Sequence, residues 1–247
     1  GSDLDIVFLH DSDGEQQETD GERSISNDVF FARLARRLVH FLSVQTSAGK
    51  LYEVDIRLRP SGRSGLMVSS IASFRRYQAQ DAWTWEHQAL LRSRAIAGSG
   101  QVSETFEQIR RATLTDSVDR AGLKEEVAKM RERMRKELSR SKPGEFDLKQ
   151  DPGGLADIEF LVQYQVLQNA KAHPELLVYP DNMRQIDGLL QADLMAKQTG
   201  ESLQNAYLAL RQAIHKRALD SRPAIAPVDD FAELANTVRS AWDEVFT

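Results

Sequence analysis

The sequence predicts an α+β fold: a small mixed sheet with helices over residues 1–100, then an all-α helical bundle over 101–247, predominantly helical overall. Three observations carry this. Asp3-Leu4-Asp5 leads into the apolar run Ile6-Val7-Phe8-Leu9, which reads as a strand. Tyr52 to Leu58 alternates apolar and polar residues with the period of a second strand. Beyond Gly100, apolar residues recur every three or four positions, the spacing of amphipathic helices.

Asp3 and Asp5 stand two apart, so in a strand they share a face, with alpha carbons about 6.5 Å apart. Two carboxylates that close repel unless a cation lies between them, and a hard divalent ion with oxygen ligands is the usual answer. Taken alone, a D-x-D at a strand edge is more often a solvated turn. Here Ile6–Leu9 reads as a buried strand, which places both acids at its entrance, where charge needs a partner. The polar stretch from Asp11 to Ser26, without an aliphatic residue before Ile25, reads as an acidic loop that could approach a protein substrate. Its acids around Gly14 do not have calcium-loop spacing.

Ser26 or Asn27 caps a helix whose apolar stripe is Phe30, Phe31, Leu34, Leu38, Phe41 and Leu42, with Arg33, Arg36 and Arg37 solvated. A turn at Thr46–Lys50 leads to the second strand. There Val54, Ile56 and Leu58 face one side and Asp55, Arg57 and Arg59 the other, up to the stop at Pro60-Ser61-Gly62. Asp55 beside Asp3 and Asp5 makes three carboxylates, enough for two magnesium ions and an in-line displacement at phosphorus. Arg57 and Arg59 then face the phosphates or lock the carboxylates. A surface ladder of opposite charges is the plain alternative.

Ser61–Gly65 reads as a loop able to lie against a ligand, and Leu66–Val68 as a short strand. A helix follows through Ile71, Phe74 and Tyr77, capped by Ser69 or Ser70. In Asp81–Ile96, Trp83, Trp85, Leu90 and Leu91 are expected in the core, Glu86, Arg92 and Arg94 are the polar positions, and Arg92 and Arg94 are expected at the surface. Gly98-Ser99-Gly100 marks the domain boundary. Next comes an amphipathic helix through Leu123, Val127, Met130, Met134 and Leu138, with a solvated charged face. Leu155–Gln168 follows Asp151-Pro152-Gly153-Gly154 and carries Asp157 and Glu159, which lie about 200° apart on a helix and so face different partners. Asp157 suits the helix start. Three more helices are expected, over 181–194, 203–219 and 229–246.

Composition excludes several classes. A net charge of -5 argues against a phosphate backbone as main substrate, so no nucleic acid partner is expected. With no cysteine there is no disulfide scaffold or thiolate metal site, which suits a reducing cytoplasm. No apolar run has the length of a membrane span, and the five histidines show no zinc spacing.

Ser2-Asp3-Leu4-Asp5, Tyr52-Glu53-Val54-Asp55-Ile56-Arg57-Leu58-Arg59-Pro60-Ser61-Gly62, Ala82-Trp83-Thr84-Trp85-Glu86-His87-Gln88-Ala89-Leu90 and Gly153-Gly154-Leu155-Ala156-Asp157-Ile158-Glu159-Phe160 together resemble the bifunctional glutamine synthetase adenylyltransferases, of the polymerase-beta-like nucleotidyltransferase superfamily. Leu9-His10-Asp11 and the Trp-Thr-Trp-Glu-His run are similar to their C-terminal, adenylylating half. The resemblance implies transfer of AMP from ATP to a tyrosine of glutamine synthetase, releasing pyrophosphate. It makes Asp3, Asp5 and Asp55 the catalytic ligands of two Mg2+ ions, and Ser2, Arg57 and Arg59 the ATP contacts. Asp157 and Glu159 become outer contacts of that site. It implies glutamine synthetase and the PII signal protein as partners and glutamine as an effector. The family pattern also has a glycine pair several residues before the D-x-D. This chain starts at Gly1-Ser2, so an N-terminally truncated catalytic domain is expected, and a silent docking module for glutamine synthetase or PII stays open as the alternative.

Overall fold

A computed structural model describes residues 3–12, 17–50 and 52–247. The architecture is α+β and predominantly helical, and the chain divides into two compact units. One takes in the residues up to Ala89 together with Arg94–Thr113; the other takes in Leu90–Ser93 and Leu114–Thr247.

The first unit is built on short parallel strand pairs. Strand β1 (Leu4–Asp5) and strand β2 (Phe8–His10) precede helix α1 (Asn27–Ser43). A tight hairpin of β3 (Gln45–Thr46) and β4 (Gly49–Lys50) then turns the chain at Gly49, whose φ is 105°. Next come β5 (Val54–Asp55), β6 (Val68–Ser70), and helices α2 (Ile71–Gln80), α3 (Thr84–Arg92), whose residues from Leu90 on belong to the other unit, and α4 (Gly100–Ala112). β1 pairs with β5 and β2 with β6, both parallel. The side-chain hydroxyls of Ser26, Ser70 and Ser99 accept from the backbone N–H groups of Val29, Ser73 and Val102, capping α1, α2 and α4.

Several expectations for this unit are corrected. The Ile6–Leu9 run is not one buried strand: pairing breaks between β1 and β2 as the chain changes partner from β5 to β6, and Val7 is exposed. The second strand stops at Asp55, because the Asp55 carboxylate accepts the N–H of Arg57 at 2.8 Å and turns the chain. Only Ala35 of α1 is buried, while Phe30, Leu34, Leu38 and Phe41 stand in solvent. Trp83, expected in the core, is 70% exposed, while the polar Glu86 is buried. The reason is local. Trp83 lies just before α3, and Glu86, in its first turn, reaches back to accept the Trp83 N–H at 2.9 Å, the carboxylate half of a capping box.

The second unit is a helical bundle with α5 (Leu123–Leu138), α6 (Leu155–Asn169), α7 (Asn182–Gln191), α8 (Lys197–Leu219) and α9 (Ala232–Phe246). Helix α6 is its centre: Leu155, Ala156, Ile158, Leu161, Val162, Val166 and Leu167 are buried, and it packs on α5, α7, α8 and α9. The expectation of helix throughout is corrected by an antiparallel pair, β7 (Glu145–Asp147) with β8 (Ile225–Pro227). The expectation of a wholly solvated charged face on α5 is corrected too, since Arg131 is fully buried. Among the described residues no helix is long and apolar enough to cross a membrane.

The turn into α6 depends on Gly153. Its φ is 88°, and a Cβ there would lie 2.3 Å from the carbonyl oxygen of Ala235 on α9. Gly153→Ala is expected to destabilise the chain by more than about 1 kcal/mol, read as a lower urea midpoint at an unchanged slope.

Candidate functional site

The parallel register sets Asp5 directly opposite Asp55, with Leu4 opposite Val54. Backbone hydrogen bonds of 2.8 Å from Leu4 N–H to the Glu53 carbonyl and from Ile6 N–H to the Asp55 carbonyl fix that register. Asp3 lies just before β1, two residues ahead of Asp5, and like Asp5 it acts on Arg57 electrostatically. Asp3 and Asp5 are exposed, whereas the Asp55 side chain is only 14% exposed.

Arg57 is the cation of this acidic end. Its Nε donates to Asp55 Oδ2 at 2.6 Å, its Nη2 closes on the same oxygen, and its N–H holds Oδ1. That side-chain hydrogen bond keeps the Asp55 carboxyl below its ordinary range, against the opposing effect of burial. Asp55 in turn raises the guanidinium's pKa, and Asp3 and Asp5 add to the same effect from further off. Oxygen donors on neighbouring strands are chemistry that suits a hard divalent cation. As arranged here the shared cation is Arg57, and among the described residues no group of three acids or histidines stands ready to hold a metal ion.

Arg59 does a different task. Its guanidinium donates to the carbonyls of Ile56 at 2.6 Å, Gly65 at 3.3 Å and Arg63 at 3.4 Å, stapling the Pro60–Gly65 loop around itself. The loop needs this support. Ser61 has a left-handed φ of 59°, and a Cβ on Gly65 would sit 1.9 Å from the Pro60 carbonyl oxygen. Tyr77 of α2 lies beside the same loop: its hydroxyl donates to Glu86 at 2.8 Å, and it lines a pocket with Ser61. Burial, with Glu86 nearby, raises the Tyr77 pKa. Ser61, Ser70, Arg76 and Tyr77 line an open pocket of about 520 Å³ beside the loop. Ser2 lies outside the described residues.

Asp157 and Glu159 belong to the second unit and point to different partners, as their spacing requires. Asp157 is 1% exposed; it accepts from Arg131 Nε at 2.7 Å, from Arg135 Nη2 at 3.3 Å and from the Gly153 N–H at 2.7 Å. Arg131 also donates to the Gln150 carbonyl at 2.7 Å, and burial lowers its pKa. Glu159 accepts from Arg92 and from the buried amide of Asn182, each at 3.4 Å, and Asn182 also donates to Tyr207 at 3.1 Å. Sequence reasoning missed Arg131, Gln150, Asn182 and Tyr207. Arg131 had one visible signal: it lies four residues after Val127, on the apolar side of α5.

Two outcomes follow from these contacts. Arg57→Gln removes the main force holding the Asp55 carboxyl down, so its titration, followed by carboxyl-carbon NMR, moves up toward the ordinary value. In the unaltered chain the Asp55–Arg57 contact is present at neutral pH and is lost as the pH falls through Asp55's lowered pKa. Asp157→Ala leaves a fully buried guanidinium without its counter-charge and is expected to cost about 3–5 kcal/mol in urea unfolding.

Comparison with known proteins agrees with the motifs in both units. Residues 1–109 match the family described as Glutamate-ammonia ligase adenylyltransferase, and residues 121–223 match the family described as GlnD PII-uridylyltransferase. A bifunctional glutamine synthetase adenylyltransferase/adenylyl-removing enzyme of Thioalkalivibrio sulfidiphilus is 51% identical over 245 residues, 99% of this chain and 25% of the relative. The proteins of that name from Hahella chejuensis and Pseudomonas aeruginosa are each 46% identical, over 100% and 99% of this chain and 26% of their own length. The chain is thus similar along its whole length to bifunctional glutamine synthetase adenylyltransferase/adenylyl-removing enzymes, and it spans about a quarter of the length of these curated relatives.

Proposed function

We propose that this chain is the adenylylating catalytic portion of a bifunctional glutamine synthetase adenylyltransferase/adenylyl-removing enzyme, with a polymerase-beta-like nucleotidyltransferase domain followed by a helical domain. It transfers AMP from ATP to a tyrosine hydroxyl of glutamine synthetase and releases pyrophosphate. The observation that carries this reading is the register that sets Asp5 opposite Asp55. The names of relatives matched over 98% or more of the chain support the substrate.

In this reading Asp3, Asp5 and Asp55 hold two magnesium ions. When bound, magnesium neutralises charge on the triphosphate and makes the attacking hydroxyl more acidic. The chain's own residues provide position. Arg57 keeps Asp55 ionised and aimed along the strand edge. Arg59, through the loop it staples, fixes the backbone that follows Asp55. ATP contacts come from Ser2 and from Arg57, while Arg59 acts through the loop's backbone. Asp157 and Glu159 act as supports of the helical domain. PII and glutamine are proposed as the regulators of this activity, and the cytoplasm as its place.

The test is label transfer from alpha-labelled ATP to purified glutamine synthetase in the presence of magnesium. Asp5→Asn and Asp55→Asn are expected to lose about a thousandfold in rate, the equivalent of about 4 kcal/mol of transition-state stabilisation, with circular dichroism unchanged. Wild-type rates in either variant would overturn the carboxylate assignment. No transfer by a folded chain that still binds glutamine synthetase would favour the docking reading, for which the closure of Asp55 by Arg57 is the structural ground.

A further inference from the structure

Helix α1 carries apolar residues on two neighbouring sides. At about 100° per residue, Phe31, Ala35, Val39 and Leu42 form one side, directed inward: Ala35 is buried, and Phe31 stacks on the buried His10 ring at 4.7 Å. Phe30, Leu34, Leu38 and Phe41 form the other, within about 80° of arc. These four are 44%, 44%, 43% and 62% exposed. Single exposed apolar residues are ordinary, but a continuous row at i, i+4, i+8 and i+11 is the pattern by which one helix seats another.

The charges beside the row select the occupant. Arg33 and Arg37 border it, Arg36 lies beyond, and none of the three makes an ion pair among the described residues. The one acid of α1, Asp28, faces His10 at 3.4 Å. Antiparallel pairing of two copies through this row would bring arginine against arginine, and parallel pairing would set each copy's arginines against the other's inward side, which is already packed, so a second copy of the chain is disfavoured. A basic, apolar helix can also lie on an anionic membrane, but that requires freedom to settle at the interface, and the adjacent side of α1 is already packed inside its own unit. The row borders that inward side directly, so whatever covers it extends the unit's own core. The matched relatives are about four times as long as the matched segment, which leaves ample polypeptide to supply such a cover.

We propose that Phe30, Leu34, Leu38 and Phe41 form a docking seam for an amphipathic helix with an acidic flank, supplied from the three quarters of a relatives'-length polypeptide that lies outside this chain. Leucine and phenylalanine fill the seam and the acidic flank answers Arg33 and Arg37. The seam is independent of the transfer chemistry and stands whether or not the adenylylation reading does.

A polypeptide of the relatives' length, with a benzophenone side chain in place of Leu38, is irradiated and its cross-linked peptides are identified by mass spectrometry. The expected product is a cross-link within one molecule, to an acidic amphipathic segment outside residues 1–247. Cross-links between two copies of α1, to a separate protein alone, to lipid in added anionic vesicles, or to solvent only would each overturn the proposal. A second readout uses Leu34→Glu with Leu38→Glu. In the 247-residue chain the pair should leave the melting temperature unchanged, because both positions are exposed there; in the longer polypeptide it should lower it. No loss in the longer polypeptide would equally overturn the seam.

Discussion

The helical unit depends on the contact between Arg131 and Asp157. Both are withdrawn from water, on helices α5 and α6, and a buried pair of this kind persists only if its remaining hydrogen-bonding capacity is met. It is met locally. Asp157 takes the N–H of Gly153, in the turn before its own helix, and Arg131 reaches the carbonyl of Gln150 in the same turn. The Gly153 conformation, the start of α6 and the position of α5 are thereby tied together. Close by, Asp151 accepts from the Ser139 hydroxyl and from the Asp147 N–H, which links the end of α5 to β7. An apolar pair could fill the same volume. It would not specify which turn of α5 meets the start of α6, and that register is what the polar network defines.

Asp55 and Arg57 use the same two functional groups under opposite conditions. Here the guanidinium is more than half exposed and the carboxylate is its neighbour in sequence. Water screens the attraction, so the contact adds little to folding. Its importance lies in the state of the carboxylate: ionised, oriented, and standing opposite a second aspartate. This contact can be released without unfolding, whereas the one between Arg131 and Asp157 cannot. Arg59, two residues on, shows how sharply context divides like residues. Its donors are engaged by backbone carbonyls, so it shapes the loop instead of presenting a charge.

Much of this was legible in the sequence because it depends on local rules. The strand start at Val54–Asp55, the caps at Ser26 and Ser70 and the apolar α6 all follow from periodicity and hydrogen-bonding preference. What was not legible depended on side chains reaching the backbone or one another over distance. The short Asp55 strand came from a carboxylate competing with the ladder for a backbone N–H. The exposure of Trp83 and the burial of Glu86 came from a capping contact that outweighed hydrophobicity. Arg131 looked like one more charge on a charged helix, since its partner lies 26 residues away.

Helix α1 shows the limit of pattern reading most plainly. Its six large apolar residues fit a single stripe when counted by spacing, and the natural conclusion is one buried face. The structure separates them into two rows about a quarter-turn apart. Only the row holding Phe31 and Leu42 faces the unit's own strands, because strands of two and three residues offer too narrow a surface to cover both. A sheet of such short strands is marginal by itself. The width of the apolar arc on α1 is therefore matched to a larger layer than these strands provide, and the mismatch between helix and sheet is itself the sign that the core of this unit extends beyond what the strands alone enclose.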